Sequence, residues 1–441
     1  MSIPEKIDTH QKALSLNLDP STFGSFAEIG AGQEVARWFL QVGAASGTVA
    51  KTISAYDKEV SDDLYGAGTR YVSQERLHAM LEQEWKELLT QLHASRGATT
   101  KFISFVDTVA ARNFSGTNEC HGWLGLRFQQ TPGGPVNDVV LHINLRDDAN
   151  LLQQAAVGVL GVNLIYAAYH NLTSIEEFQK SLVEDLAPSR IEIDCMELNG
   201  PAFASWDPQI VHASLVVHGL AEAVIFPLDG TLLPPTEVLY KKAVVMAPGT
   251  FNTTEKFHEE MIEDTIAQLP ADELAQSKGP IGLFSLTCAP LSKDKLSLST
   301  EEIVAHVAAL RKLGSGVLVF REVELYKMST FVNRFTKSRI HFAVGLSILV
   351  RALQDTYEEL AGSLLEGIAR LFRLNVRLSV FPMTEADLTA WLEAVSVSGW
   401  EWQSSGGLVH AKNLHPSKPI DFLYKYLIAS QFILPMPPTK D

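Results

Sequence analysis

Apolar residues recur at a helical spacing near the amino terminus of the chain. Ser73 is followed by a set of apolar side chains three or four positions apart, which predicts a capped amphipathic helix over residues 74–95. These side chains are Leu77, Met80, Leu81, Trp85, Leu88 and Leu92. We expect residues 1–98 as a whole to be mostly helical.

From about residue 100 the period changes to that of β-strands. Residues 101–109, 123–129 and 139–145 alternate, and the turn cluster at 131–135 predicts a hairpin between the last two segments. Helices are expected over 151–169 and 175–186. Residues 190–198 and 210–217 alternate again, so we predict an antiparallel sheet, which two further strands over 223–227 and 239–247 extend.

Beyond Pro280 the pattern becomes one of strands separated by helices. Strands are predicted over 281–287, 317–320, 340–344 and 376–381. Helices are predicted between these strands. Ser299 and Glu302 form a capping-box pattern at the start of the first helix, and a long helix that reaches Phe372 lies before the last strand. Strands alternating with such helices favour a parallel sheet.

The fold class that follows is α/β, with an α+β amino-terminal half that contains the antiparallel sheet. We expect three regions. They are a helical amino-terminal region at 1–98, an antiparallel sheet with helices at 99–279, and an α/β domain with an aromatic carboxyl-terminal tail at 280–441. Trp400, Trp402, Phe422, Tyr424, Tyr426 and Phe432 make up that tail, which is typical of a core or of a subunit interface.

The amino-acid composition limits which partners and which cellular location are expected for the protein. The 441 residues are 46% apolar and 20% charged and carry a net charge of -15, with no run of Lys or Arg, so no nucleic-acid partner is expected. The longest apolar stretch, 155–169, contains Asn163 and is too short to cross a membrane, which predicts a buried helix and no membrane insertion. Without a signal sequence, and with three widely separated cysteines, the protein is expected to be cytoplasmic.

Three segments resemble known catalytic or ligand-binding motifs, and each lacks a feature that the motif requires. The segment 223–233 resembles the Asp-x-Asp-Gly-Thr-Leu motif of haloacid-dehalogenase phosphatases, but Pro227 replaces the nucleophile and leaves Asp229 alone. The glycine pair at 28–32 has no predicted strand before it, which favours a helix-entry turn. In the segment 43–52, Lys51 lies too far from Gly47 for a phosphate loop.

Two groups of polar residues are candidate sites. Ligands collect beyond the carboxyl ends of parallel strands, which nominates Thr287, Arg321, Glu322 and Ser347 for ligand binding; Arg321 and Glu322 could instead form an ion pair or begin a helix. If strands 190–198 and 210–217 pair, Glu192, Asp194, His212 and His218 share one sheet face. That face could hold a divalent metal or be a plain polar surface.

Four segments resemble an uncharacterised bacterial family of large cytoplasmic proteins over nearly the full chain. They are residues 32–37, 50–57, 239–242 and 364–372. Members of that family carry the names nicotinate-nucleotide adenylyltransferase and TonB-dependent receptor. The residues here support neither name, because residues 244–252 match only the start of a nucleotidyltransferase pattern and a receptor of that kind is an exported barrel.

Two functions remain open from the sequence. The first is a self-associating, non-catalytic scaffold or structural assembly, a homo-oligomer whose small-molecule ligand, if any, is unknown. The second is a nucleotide-handling enzyme, nucleotidyltransferase-like and metal-assisted, with its site at the strand ends of the carboxyl-terminal region. Only this second function implies a cofactor, a divalent metal.

Overall fold

The computed structural model describes residues 7–68, 70–187, 189–249, 251, 256–288, 298–354 and 356–439. Contacts divide the chain into two compact units, Met1–Glu222 and Ala223–Asp441. This division differs from the three expected regions. Strand pairing joins residues on both sides of the expected boundary near residue 98, and likewise near residue 279.

The first unit contains six strands and seven helices in its described part. The strands are β1 (Thr22–Ile29), β2 (Val49–Ile53), β3 (Lys101–Ala110), β4 (His121–Gln129), β5 (Val136–Leu145) and β6 (Ile191–Asn199). The helices are α1 (Thr9–Asn17), α2 (Glu34–Gln41), α3 (Lys58–Tyr65), α4 (Gln74–Arg96), α5 (Asn150–His170), α6 (Ile175–Leu182) and α7 (Pro208–Val217).

The strands of this unit form one mixed sheet in the order β2-β1-β3-β4-β5-β6. The predicted hairpin is confirmed, because β4 and β5 pair antiparallel, and the pairs β3–β4 and β5–β6 are antiparallel as well. Helices make up most of the regular structure before residue 98, but this part is not a separate helical region, since β1 pairs in parallel with both β2 and β3. Seven of the eight residues of β1 are buried, so the strand lacks the alternation by which a half-exposed strand is recognised.

Helices cover both faces of this sheet. On one face, Leu77 and Leu81 of α4 pack with Val106 and Trp123. On the other, a side chain at Gly161 of α5 would meet Val35 of α2, so the glycine permits close helix packing. Helix α5 is long and apolar enough to cross a membrane, but 72% of its most apolar window is buried within the protein. It is the buried helix that the sequence predicts.

The second unit contains eleven strands and nine helices among its described residues. The strands are β7 (Ala223–Phe226), β8 (Ala243–Gly249), β9 (Pro280–Thr287), β10 (Gly316–Phe320), β11 (Ile340–Gly345), β12 (Val376–Phe381), β13 (Met383–Thr384), β14 (Trp400–Trp402), β15 (Leu408–Val409), β16 (Leu414–Pro416) and β17 (Ile433–Pro435). The helices are α8 (Pro235–Val238), α9 (Lys256–Ala267), α10 (Ala271–Ala275), α11 (Thr300–Arg311), α12 (Leu325–Phe335), α13 (Leu346–Gln354), α14 (Ser363–Leu371), α15 (Glu385–Ala394) and α16 (Ile420–Ala429).

Seven of these strands form a second sheet in the order β17-β12-β11-β8-β9-β10-β7. Six of them run parallel, as the alternation of strands and helices predicts, and β7 pairs antiparallel with β10 at the edge. The two strands expected to extend the first sheet, β7 and β8, therefore belong to this sheet. The α/β fold class is confirmed, and so is the capping box of Ser299 and Glu302 at the start of α11.

Two further predictions of secondary structure are wrong. Residues 210–217 lie in helix α7, because Asp207 caps the helix and Pro208 occupies its first turn. The apolar run over 210–217 suits a buried helix as well as a strand, since most of α7 is buried. The long helix expected to reach Phe372 is two helices, α13 and α14.

A buried carboxyl pair lies inside the first unit. Glu28 of β1 and Asp107 of β3 are register partners in a parallel pair, and each is 1% exposed. Burial raises the pKa of Glu28 to about 7, although its carboxylate accepts the N–H groups of Val35 and Ala36 at 3.0 and 2.8 Å. Burial and the charge of Glu28 also raise the pKa of Asp107, so at least one of the two carboxyl groups holds a proton near neutrality.

This pair predicts an unusual dependence of stability on pH. A carboxyl group whose pKa is raised by folding favours the folded state at low pH and opposes it once the group must ionise. We expect the free energy of unfolding to fall by up to about 3 kcal/mol as the pH rises from 4.5 to 7. Glu28→Gln should flatten this fall in urea denaturation at a series of pH values. The exposed control Glu59→Gln should retain it, and an equal slope in both variants would contradict the assignment.

Candidate ligand-binding site at the second sheet

The order in which the chain adds strands to the second sheet reverses between β8 and β11. From β8 the chain adds β9 and β10 on one side, and then returns to add β11, β12 and β17 on the other. This is the strand order of doubly wound sheets, which hold ligands where the order reverses. In such sheets a crevice forms beyond the carboxyl ends of the two strands at the reversal, here β8 and β11.

A cavity of about 310 Å³ lies at this crevice. Its walls come from the carboxyl ends of β8 and β9 and from the helices that follow β10 and β11. The lining residues of these elements are Pro248, Gly249, Thr287, Val323, Glu324, Leu325, Ser347, Ile348, Arg351 and Ala352, and Tyr357 and Trp391 complete the wall. Residues from the ends of β8 and β9 and from the chain after β10 and β11 thus contribute to one cavity.

Helix α13 supplies the basic side of the cavity. It begins at Leu346, directly after β11 ends at Gly345, so its amino terminus lies at the edge of the sheet. Ser347 and Arg351 are one turn apart and both line the cavity. The unpaired amides of a helix amino terminus carry partial positive charge, and the guanidinium of Arg351 adds a full one. This side suits an anionic group.

The side chain of Glu324 provides an acidic group on the wall formed after β10. Its carboxylate lies 3.2 Å from the ammonium of Lys327, one turn along α12. Glu322 also pairs with Lys327, at 2.8 Å, and it does not line the cavity. Lys327 therefore neutralises one of two neighbouring carboxylates, and Glu324 still faces the cavity as an acceptor for hydroxyl or amino groups.

Tyr357 and Trp391 give the cavity an aromatic wall. The hydroxyl of Tyr357 donates to the backbone oxygen of Ala352 at 3.0 Å, and its ring packs edge-on against Tyr326 with centroids 5.4 Å apart. The Tyr357 ring is therefore held in place by α12 and α13 before any ligand binds. A planar apolar group fits such a wall.

Two of the four residues nominated from the sequence for ligand binding line this cavity. Thr287 and Ser347 line the cavity, whereas Arg321 and Glu322 lie beside it. Arg351 and Glu324 were missed. In the sequence, Arg351 could have been found from its position four residues after Ser347 on a predicted helix. Glu324 could have been found from its position shortly after the predicted strand 317–320.

The proposed acidic and histidine group does not share one sheet face. Because residues 208–217 form a helix, His212 is buried in α7, and His218 ends that helix with its Nδ1 2.8 Å from the side-chain oxygen of Gln179. Glu192 and Asp194 remain on β6 and bind Arg146 and His142 instead. Within the described ranges, no three His, Cys, Asp or Glu side chains are placed to hold a metal.

The three near-miss motifs have structural roles. Strand β1 does precede the glycine pair at 28–32, contrary to expectation, but the carboxylate of Glu28 occupies the α2 amides that a phosphate would need. The segment 43–52 leads into strand β2 rather than into a helix. Asp229 accepts two hydrogen bonds from Thr231 in a turn after β7, which is antiparallel and so ends at the opposite edge from the cavity.

Comparisons with known proteins give the following results. No protein-family profile matches the chain, and no curated protein matches it. Among solved structures, the chain is similar to the competence/damage inducible protein CihA from Agrobacterium tumefaciens, with 19% identity, 38% of this chain and 98% of that chain covered, and a TM-score of 0.27.

Two other solved structures are similar at the same level. A CinA superfamily protein from Enterobacter cloacae is 10% identical over 38% of this chain and 96% of its own, with a TM-score of 0.28. A competence or damage-inducible protein from Enterobacter asburiae is 12% identical over 37% of this chain and 99% of its own, with a TM-score of 0.27. Structural similarities this weak carry no inference about what the present chain does.

Proposed function

We propose that this protein is a cytoplasmic ligand-binding protein whose second unit binds a small molecule with an acidic group, of the nucleotide class. The observation that carries this proposal is the position of Arg351. It lines a cavity at the reversal of strand order, one turn from Ser347 and at the start of α13. Helix amides and a guanidinium together are the usual partners of a phosphate or carboxylate. The three cysteines are free thiols, in keeping with a reducing compartment.

The size of the cavity limits the ligand. A volume of about 310 Å³ lies at the lower end of the range for small-molecule sites. Strand β8 ends at Gly249, and the sequence after it has no Gly-x-Gly-x-x-Gly pattern, which a bound dinucleotide pyrophosphate usually requires. A mononucleotide or a smaller acid therefore fits better than a dinucleotide. Its planar ring would lie against Trp391, and its hydroxyl groups would donate to Glu324.

This proposal is tested by the stabilisation that a ligand confers. A ligand that binds only the folded protein raises the melting temperature, and at 100 times its Kd it contributes about 2.7 kcal/mol. We expect nucleoside 5′-monophosphates to raise the melting temperature and the matching nucleosides, which lack the anion, not to do so. Arg351→Ala should weaken binding about tenfold to a hundredfold in calorimetry, because it removes a charge-assisted hydrogen bond.

Arg370→Ala is the matched control for this experiment. Arg370 is a half-exposed arginine of α14 that pairs with Glu366 at 2.6 Å and does not line the cavity. The Arg370→Ala variant should leave ligand binding unchanged. The proposal is wrong if no phosphorylated or carboxylated small molecule stabilises the protein, or if Arg351→Ala and Arg370→Ala behave alike.

A second candidate function is self-association as a scaffold, for which one surface provides the support. Phe422 and Tyr426 lie one turn apart on α16 and are 64% and 60% exposed. Two large apolar side chains in this position are typical of an interface. Removing the whole tail would not test this, because Tyr424 and Leu427 of the same helix are buried in the core.

Point substitutions keep the core and change only the surface. We expect the double variant Phe422→Glu and Tyr426→Glu to shift the protein to a smaller species in light scattering after size-exclusion chromatography. Leu18→Glu, at an apolar side chain of the first unit that is 65% exposed, should not change the mass. A monomeric wild-type protein at micromolar concentration would end this proposal.

A further inference from the structure

A chain of hydrogen bonds crosses three adjacent strands of the first unit. The Nδ1 atom of His142 on β5 lies 2.6 Å from Oδ1 of Asp194 on β6, and its Nε2 atom lies 3.1 Å from Nδ1 of His121 on β4. His142 is fully buried and Asp194 is 1% exposed, whereas His121 is partly exposed. The chain therefore runs from the interior of the unit to its surface.

The carboxylate at the inner end determines where the protons lie. An ionised carboxylate only accepts, so Nδ1 of His142 must carry a hydrogen. In neutral His142 the Nε2 atom then has a lone pair and accepts from Nδ1–H of His121. This leaves the lone pair of His121 on Nε2, at the partly exposed end of the chain.

A proton that arrives at His121 need not stay there. When Nε2 of His121 takes up a proton, its Nδ1 proton can move to Nε2 of His142, and His142 becomes an imidazolium beside the Asp194 carboxylate. Burial and the neighbouring His142 lower the pKa of His121 to about 4, so a positive charge that stays on His121 is disfavoured. Transfer to His142 places the charge where a carboxylate stabilises it.

The surrounding charges are consistent with this role for His142. Within the described part of the chain, Asp194 has no Lys or Arg in ion-pair distance, and its second oxygen accepts from Asn144 at 2.7 Å. The nearby Glu192 is neutralised by Arg146 at 2.7 Å, and Arg146 also binds Glu222. His142 is thus the group that can neutralise Asp194.

One further charge acts on the outer end of the chain. The guanidinium of Arg70, in the segment before α4, opposes protonation of His121 through its positive field. The same field favours a negative charge beside His121.

We propose that His121, His142 and Asp194 form a proton-transfer site in the first unit, which takes a proton from an O–H or N–H group of a weakly acidic small molecule. The electron pair of the broken O–H or N–H bond stays on that molecule. Its proton binds Nε2 of His121, and the Nδ1 proton of His121 passes to Nε2 of His142. The reverse transfer restores the starting state. This inference does not depend on ligand binding by the second unit.

Histidine-selective 15N NMR of the full chain tests the arrangement directly, because the 15N shift distinguishes protonated from unprotonated ring nitrogens. At pH 8 we expect hydrogen on Nδ1 of both His121 and His142 and a lone pair on both Nε2 atoms. As the pH falls, both rings should change together, with one shared midpoint. His121→Gln assigns the signals.

Asp194→Asn should lower that shared midpoint by at least one pH unit, a tenfold loss of proton affinity. Asp138→Asn, a change at a β5 carboxylate that pairs with Arg127 rather than with a histidine, should leave the midpoint unchanged. If Asp194→Asn does not fold, the wild-type spectrum at pH 8 decides alone. An Nε2–H tautomer of His121 at pH 8, or two independent midpoints, would overturn the proposal.

Reaction with diethylpyrocarbonate provides a chemical test of the same site. The reagent acylates accessible imidazole nitrogens that carry a lone pair, so His121 should react faster than the buried His142. Mass spectrometry locates the label, and the pH dependence of the rate should share the NMR midpoint. Failure of His121 to react in the native protein would show that its Nε2 is not available, and would also overturn the proposal.

Discussion

Burial of both faces of the two central sheets is the constraint on which the rest of this structure depends. All residues of β10 are buried, as are seven of the eight in β1. A strand of this kind has no solvent-facing side, so helices must cover the sheet above and below. Polar chemistry is then confined to the ends of the strands and to the few positions where a sheet interior tolerates a charge.

The first unit places such charges inside its sheet and neutralises them in two ways. Glu28 and Asp107 lie on one face, and their shared burial favours a bound proton. Asp194 lies on the face that carries His142 and Trp123, and a histidine 2.6 Å away provides the compensating group. Both arrangements avoid the high free energy of an unpaired buried carboxylate. They differ in access to solvent, because only the second continues to a partly exposed residue, His121.

The second unit keeps its polar groups at the edge of the sheet, where the chain order creates room for them. Thr287 ends β9 and Ser347 follows β11, two strands that are separated by β8 in the sheet, and neither side chain alone indicates a site. Arg351 reaches the cavity because it lies one turn beyond Ser347 on a helix that starts without a loop. The place of the cavity follows from the strand order, and the positive charge on its wall comes from α13.

Several elements could be predicted because their signals are local. The hairpin turn at 131–135, the cap at Ser299 and the spacing of Leu77 and Leu81 each depend on a few neighbouring residues. Strand β1 and helix α7 could not, because a fully buried segment has the same apolar composition whether it is helix or strand. The partners of Asp194 could not be predicted either, since they depend on the register of β5 against β6.

The sequence by itself determined that the protein is α/β and that its carboxyl-terminal part builds a parallel sheet, and it nominated Thr287 and Ser347, which line the cavity. The tertiary structure alone decided the two units, the sheet to which β7 and β8 belong, and the grouping of Arg351 with Glu324 or of His121 with Asp194. The physical reason is the distance along the chain over which each kind of signal acts. Periodicity and capping act over a few residues, whereas strand order and register join residues that are tens to hundreds of positions apart.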